Sequence, residues 1–211
     1  MVCSIPKPRG WRFRTLLLII AIFGFKSGLL HAATPQVTAG LHHTVALKSD
    51  GTLWEWGGEW GPDVYGWPGD TPSTGNSTPV RVGGDTDWSQ VAAGDNHTIA
   101  LKSGGTVWAW GRNDSGQLGD GTATDRSVPL QISSLTGITA VSGGGAHSLA
   151  LKSDGTVWAW GDNGSGQIGD GTTSDRSTPV QVSNLTGVIA ISSGDAHSIA
   201  LKSDGTVWAW G

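Results

Sequence analysis

The sequence predicts an all-β fold, an incomplete β-propeller of about three and a half four-stranded blades. Three observations predict it. The first is a segment that recurs four times: HTVALKSDGTLWEWG from His43, HTIALKSGGTVWAWG from His97, HSLALKSDGTVWAWG from His147 and HSIALKSDGTVWAWG from His197. The spacings are 54, 50 and 50 residues, and a fixed period of this size marks stacked or circular units. The second is alternation. His147, Leu149 and Leu151 fall on one face, and Ser148, Ala150 and Lys152 on the other; Thr156, Trp158 and Trp160 then oppose Val157 and Ala159. A period of two reads as strand. The third is the turn chemistry between those strands: Asp50-Gly51, Gly104-Gly105, Asp154-Gly155 and Asp204-Gly205 suit the positive φ angles of tight hairpins. Further strands are expected at Pro79–Val82, Pro129–Ile132 and Pro179–Val182, and at Val188–Ile191. Each period therefore holds four short strands, the content of one blade.

Taken in order, residues 1–33 read as a secretory signal peptide. Basic residues precede an apolar run from Leu16 to Phe25, and small residues follow at Ala32 and Ala33. The run is too short to span a bilayer, and Lys26 interrupts it. Cleavage near Ala33 would leave no stable membrane span and would remove Cys3, the sole cysteine, so disulfides cannot hold the remainder. Residues 34–211 form the repeat region, with copies at about 37–90, 91–140, 141–190 and an incomplete 191–211.

Composition agrees with this division. The 34 Gly and 12 Trp, against 3 Phe and 1 Tyr, suggest many tight turns with one large anchor type. The in-register apolar residues exclude disorder, and the absence of a three-residue Gly period excludes collagen. Residues 1–33 hold five of the 13 basic residues and none of the 17 acidic ones. Residues 34–211 thus carry eight basic and 17 acidic residues, a formal charge of −9. That is a poor surface for nucleic acid, where affinity comes from neutralising phosphates.

The string from Ala93 to Gly111, AGDNHTIALKSGGTVWAWG, is followed by NDSGQLGDGT from Asn113 to Thr122. Together they resemble the repeat of the regulator of chromosome condensation family, over essentially all of residues 37–211. The resemblance implies a β-propeller, usually of seven blades. This chain has too few repeats for that ring and stops in mid-repeat at Trp210-Gly211. It holds four copies of the His-to-Trp half and three of the loop-plus-Pro half. Two chains would give eight of one half and six of the other, so a simple dimer cannot balance a ring. The expectation is a fragment of a longer product, with an open sheet edge that invites edge-to-edge self-association.

Several residues invite a chemical reading. The recurring His43, His97, His147 and His197 could suggest zinc, but ligands must converge on one point, and equivalent positions in successive blades lie around a ring. A structural role is expected, each imidazole bonded to a neighbouring turn. The pairs Trp54/Trp56, Trp108/Trp110, Trp158/Trp160 and Trp208/Trp210 recur too regularly for a ligand platform and are expected to pack blade on blade. The loop from Gly161 to Gly171 lacks the acidic order and closing Glu of a calcium loop. No phosphate-binding or nucleophile motif occurs. No catalytic residue, metal or cofactor is expected.

The first copy departs most from the repeat. Its loop from Gly57 to Pro79 is four residues longer than Gly111 to Pro129 and introduces Trp60, Tyr65 and Trp67. Aromatics on a loop make binding hot spots; a local core covering the first blade is the other reading. The function expected is a non-catalytic scaffold that binds an unidentified protein in the secreted or envelope compartment. The resemblance implies two other roles: guanine-nucleotide exchange or chromatin regulation, as in some members, and secreted enzyme inhibition. A carbohydrate-binding propeller is a further alternative, suggested by Trp platforms and acidic loops.

Overall fold

A computed structural model describes residues 33–58 and 76–211. Fifteen strands and no helix are present among these residues. The first sheet takes β1 (Gln36–Ala39), β2 (His43–Leu47), β3 (Leu53–Gly57) and β4 (Asn76–Arg81). The second takes β5 (Trp88–Ala93), β6 (His97–Lys102), β7 (Val107–Gly111) and β8 (Arg126–Gln131). The third takes β9 (Ile138–Gly143), β10 (His147–Lys152), β11 (Val157–Gly161) and β12 (Arg176–Gln181). The fourth has β13 (Val188–Ser193), β14 (Ser198–Lys202) and β15 (Val207–Trp210). Every sheet is an antiparallel meander in chain order, which makes each one a propeller blade.

The second and third strands form the hairpin that the repeat announces. Its turn is wider than an Asp-Gly pair with two positive φ angles. The amide of Gly51 donates to the Lys48 carbonyl and that of Lys48 to the Thr52 carbonyl. Only the glycine has positive φ, at 75°, so the loop is a type I turn closed by a glycine bulge. Asp50 instead accepts from Thr52, from the amide at 3.0 Å and the hydroxyl at 2.6 Å. These bonds lower its carboxyl pKa. Asp154–Thr156 and Asp204–Thr206 repeat the arrangement.

Each blade has two working faces. On its trailing face, toward the next blade, the third blade carries Leu149, Leu151, Val157 and Ala159; on its leading face it carries Val141, Ala150 and Trp160. One core cluster fills each gap between blades. Between the second and third blades, Ile99, Leu101, Val107 and Ala109 meet Ile138, Val141, Ala150 and Trp160. Burying a large aliphatic or aromatic side chain contributes about 1.5–3 kcal/mol, so these junctions, rather than any one sheet, hold the array. Polar rungs join the inner strands as well. The Val91 amide donates to Gln36 Oε1 at 3.1 Å, the Val141 amide to Gln90 Oε1 at 3.0 Å and the Ser193 amide to Ser142 Oγ at 3.0 Å.

Candidate functional site

Each junction carries one buried polar relay, and the repeated histidines sit inside it. His97 Nε2 lies 2.9 Å from Ser148 Oγ on the next blade. That hydroxyl donates to the Gln117 carbonyl oxygen at 2.9 Å, where Trp160 Nε1 also donates at 2.8 Å. Because the hydroxyl proton is used on Gln117, the imidazole donates through Nε2. The next junction is the same: His147 to Ser198 at 3.0 Å, with Ser198 and Trp210 donating to the Gln167 carbonyl. The histidine's Nε2 therefore meets a strand hydroxyl one blade on.

Burial fixes the charge state. Loss of hydration pushes the pKa of His97 down to about 3, with the neighbouring histidines His43 and His147 adding to the effect. Burial likewise lowers His43 and His147 to about 4. His97 Nδ1 has no hydrogen-bond partner among the described residues; it faces Gly94. A Cβ on Gly94 would overlap both the His97 ring and the Gly144 carbonyl oxygen. Gly40, Gly144 and Gly194 meet their own histidines in the same way, which explains the glycine three residues before each one. Gly94→Ala is expected to cost about 1–3 kcal/mol as overpacking, while Gly84→Ala, where a Cβ meets nothing, should stay within about 0.5 kcal/mol. Urea midpoints of the two variants check this; equal midpoints would remove the steric role assigned to Gly94.

The carbonyl that receives the relay is set by the loop between the third and fourth strands. Asn113 is fully buried at its centre. Its amide nitrogen donates to Asp120 Oδ1, the Thr122 carbonyl and the Thr124 carbonyl, and its Oδ1 accepts from the Leu118 amide. Asp120 in turn takes Arg126 at 3.0 and 2.8 Å. Asn163, Asp170 and Arg176 repeat the arrangement one blade later. The recurrence of Asn113/Asn163 and Arg126/Arg176 at fixed offsets is the sequence signal for this arrangement.

The first junction is built differently. His43 Nε2 lies 3.0 Å from Thr98 Oγ1, as the pattern requires. The receiver, however, is a side chain: Thr98 donates to Glu55 Oε1 at 3.3 Å and Trp110 Nε1 to Glu55 Oε2 at 3.1 Å. Glu55 is only 3% exposed and stands where the other copies have Ala109, Ala159 and Ala209. Trp60, Tyr65 and Trp67, the predicted contact patch, lie outside the described residues. His197 is exposed at the far end, and Trp56 and Trp210 are half-buried, unlike Trp110 and Trp160. Among the described residues no His, Cys, Asp and Glu side chains group to hold a metal ion, and no helix is long and apolar enough to cross a membrane.

The RCC1-like domain profile matches residues 25–211. The chain belongs to the RCC1-like domain family. Yeast RCC1 (Prp20), solved bound to Kap60, aligns with a TM-score of 0.71 and 25% identity, covering 82% of this chain and 41% of that one. Human WBSCR16 aligns with a TM-score of 0.70 and 25% identity, covering 85% and 48%. Prp20p from Saccharomyces cerevisiae, in a structure described with its binding properties to Gsp1p and histones, gives 0.70, 25%, 82% and 42%. The chain thus spans less than half the length of these RCC1-like proteins. Its described sheets are propeller blades of the RCC1 type and make up part of such a ring.

Proposed function

We propose that this RCC1-like array is a non-catalytic scaffold that holds a protein partner outside the cytoplasm, with the first-copy loop as its contact. The observation that carries this is the exchange at the first junction. In the second and third blades the long loop must present a carbonyl to the relay, which ties its conformation to the fold. In the first blade Glu55 does that work. In the loop sequence that follows, Trp60, Tyr65 and Trp67 stand in place of the repeat residues. Large aromatics at such a position supply most of the energy of a protein contact. The signal-like residues 1–33 support export.

The test joins two measurements. The product isolated from its source should begin near Ala33 or Thr34. Crosslinked partners recovered with the wild-type chain should be lost, by at least about 100-fold in affinity, with a Trp60→Ala, Tyr65→Ala, Trp67→Ala triple variant of unchanged melting temperature. Undiminished binding by that variant sinks the contact assignment, and an intact residue 1 sinks the export assignment. A second reading is nucleotide exchange on a small GTPase, favoured by the likeness to Prp20p, whose structure is described with binding to Gsp1p. Accelerated nucleotide release from Gsp1p by the purified chain would establish it in place of the scaffold.

A further inference from the structure

The loop from Gly161 to Gly171 holds a reactive pair that the fold keeps from reacting. Of Asn76, Asn96, Asn113, Asn163 and Asn184, only Asn163 is followed by glycine. A glycine leaves its amide nitrogen unshielded and its backbone free to turn, so in an unconstrained chain that nitrogen reaches the Cγ of the preceding asparagine. In the fold it is held away. Asn163 is 0% exposed. Its Nδ2 donates to the Thr172 and Ser174 carbonyls, both at 3.0 Å, and to Asp170 Oδ1 at 3.4 Å; its Oδ1 accepts from the Ile168 amide at 3.0 Å. The main chain is fixed as well. The Asn163 amide donates to Asp175 Oδ1 at 2.9 Å, and the Asn163 carbonyl accepts from the Gly166 amide at 2.9 Å. The Gly164 amide, the nucleophile, donates to Asp162 Oδ1 at 3.2 Å. Gly164 itself is exposed, so water and hydroxide reach it. What the fold withholds is movement of the Asn163 side chain toward that nitrogen.

We propose that Asn163 is a deamidation site, closed in the folded chain and opened by unfolding, so that a chain that unfolds is marked covalently and does not return. The step balances with water alone. Base takes the Gly164 amide proton, the nitrogen attacks Asn163 Cγ, and the new N–C bond closes a cyclic imide. The Cγ–Nδ2 bond breaks and ammonia leaves. Water then opens the imide at either carbonyl, giving aspartate or, with the main chain rerouted through the side chain, isoaspartate at position 163. Neither product fits the cradle. A carboxylate there sets an acceptor against the Thr172 and Ser174 carbonyls and against Asp170, where Nδ2 donates in the fold; buried acceptors left without a donor are costly. Isoaspartate lengthens a main chain that is pinned on both sides. The same loop carries the Gln167 carbonyl that receives Ser198, so the damage reaches the relay between blades. Asn113 lies in the equivalent cradle of the second blade but is followed by Asp114. The Asp114 side chain crowds its own amide, and its charge opposes loss of the amide proton. The second blade is thus an internal comparison for the third.

Peptide mass spectrometry of the full chain, incubated in mildly alkaline buffer with and without guanidinium chloride, tests this. The reading is conversion of the side-chain amide at position 163 to a carboxylate. The Asp-Gly turns cyclise by losing water and regain it on opening, so they leave no mass change to confuse the result. Asn163 should convert steadily in guanidinium and at least about tenfold less in buffer, a ratio that ~1.4 kcal/mol of local opening supplies. Asn113 should convert far less than Asn163 in guanidinium. Gly164→Ala should suppress the conversion in guanidinium and keep the fold, because a Cβ there meets only Asp162 Oδ1, at 3.5 Å, and Gly164 has no positive φ. After removal of denaturant, the near-ultraviolet circular dichroism of the wild type should fall below that of a briefly denatured sample, in step with the converted fraction. Gly164→Ala held equally long should match its own briefly denatured sample. Equal conversion with and without guanidinium overturns the protection, and no conversion in guanidinium overturns the site. Converted chains that regain the native spectrum overturn the one-way consequence.

Discussion

Between pH 6.5 and about 4 the array is expected to lose stability steeply. His43, His97 and His147 are neutral in the fold, with pKa values lowered by burial to about 4, 3 and 4. Unfolded, each returns to its ordinary value of 6.5 and takes up a proton that the folded state does not. The stability these groups permit is therefore complete above pH 6.5, falls as the pH drops below it, and stops falling near the folded values. Each contributes about 1.4 kcal/mol per pH unit, so three together approach about 4 kcal/mol per unit near pH 5. Set against a usual total of about 5–15 kcal/mol, that is enough to unfold the chain before pH 4. Urea unfolding followed by tryptophan fluorescence from pH 7.5 to 4.5 measures it. His97→Gln, which keeps a donor for Ser148, should remove one proton from the slope. Stability that stays flat from pH 7 to 5 would show that the three imidazoles charge within the fold and would cancel the neutral relay.

The sequence made the strands legible because the apolar residues alternate within each copy, and the hairpin glycines because each copy has one. It did not reveal what the alternation means here. A period of two ordinarily separates a core face from a wet face. In β6 and β10 the first five residues are buried whichever way they point, because a blade between two others has a core on each side. Alternation therefore tells which neighbour a residue meets, not whether it is buried.

The relay was out of reach for a related reason. The hydroxyl directly after each histidine, Thr44, Thr98, Ser148 or Ser198, was the visible signal. Its meaning depends on pairing one copy's histidine with the next copy's hydroxyl, 51 residues on in two cases. Reading a copy by itself does not bring the two together. The preceding glycine was equally visible, but its reason is a ring lying over its Cα. The histidines occupy one structural position in every blade, and among the described residues their nitrogen bonds run to the neighbouring blade.

Glu55→Ala should be strongly destabilising, although it restores the residue that all three other copies carry. By repeat logic the substitution is an improvement, and changes toward a consensus commonly add stability. The junction argues the reverse. Ala109 and Ala159 are tolerated because Gln117 and Gln167 bring carbonyls to Ser148, Trp160, Ser198 and Trp210. In the first copy the carboxyl of Glu55 receives Thr98 and Trp110. Its removal strips these bonds from two fully buried donors. Orphaned donors cost about 1–3 kcal/mol each, so a loss of about 2–6 kcal/mol is expected. Urea unfolding at pH 7.5 reads it. A chimera separates the mechanism from a generic cavity. Replacing residues 55–76 with residues 109–126 brings in Ala109 and Gln117 together and should recover most of the loss, because the loop carbonyl returns with the alanine. If the chimera is as unstable as Glu55→Ala, Glu55 does not stand in for the loop. If Glu55→Ala alone is neutral, the first junction does not need a receiver, and Glu55 has no part in holding Thr98 and Trp110.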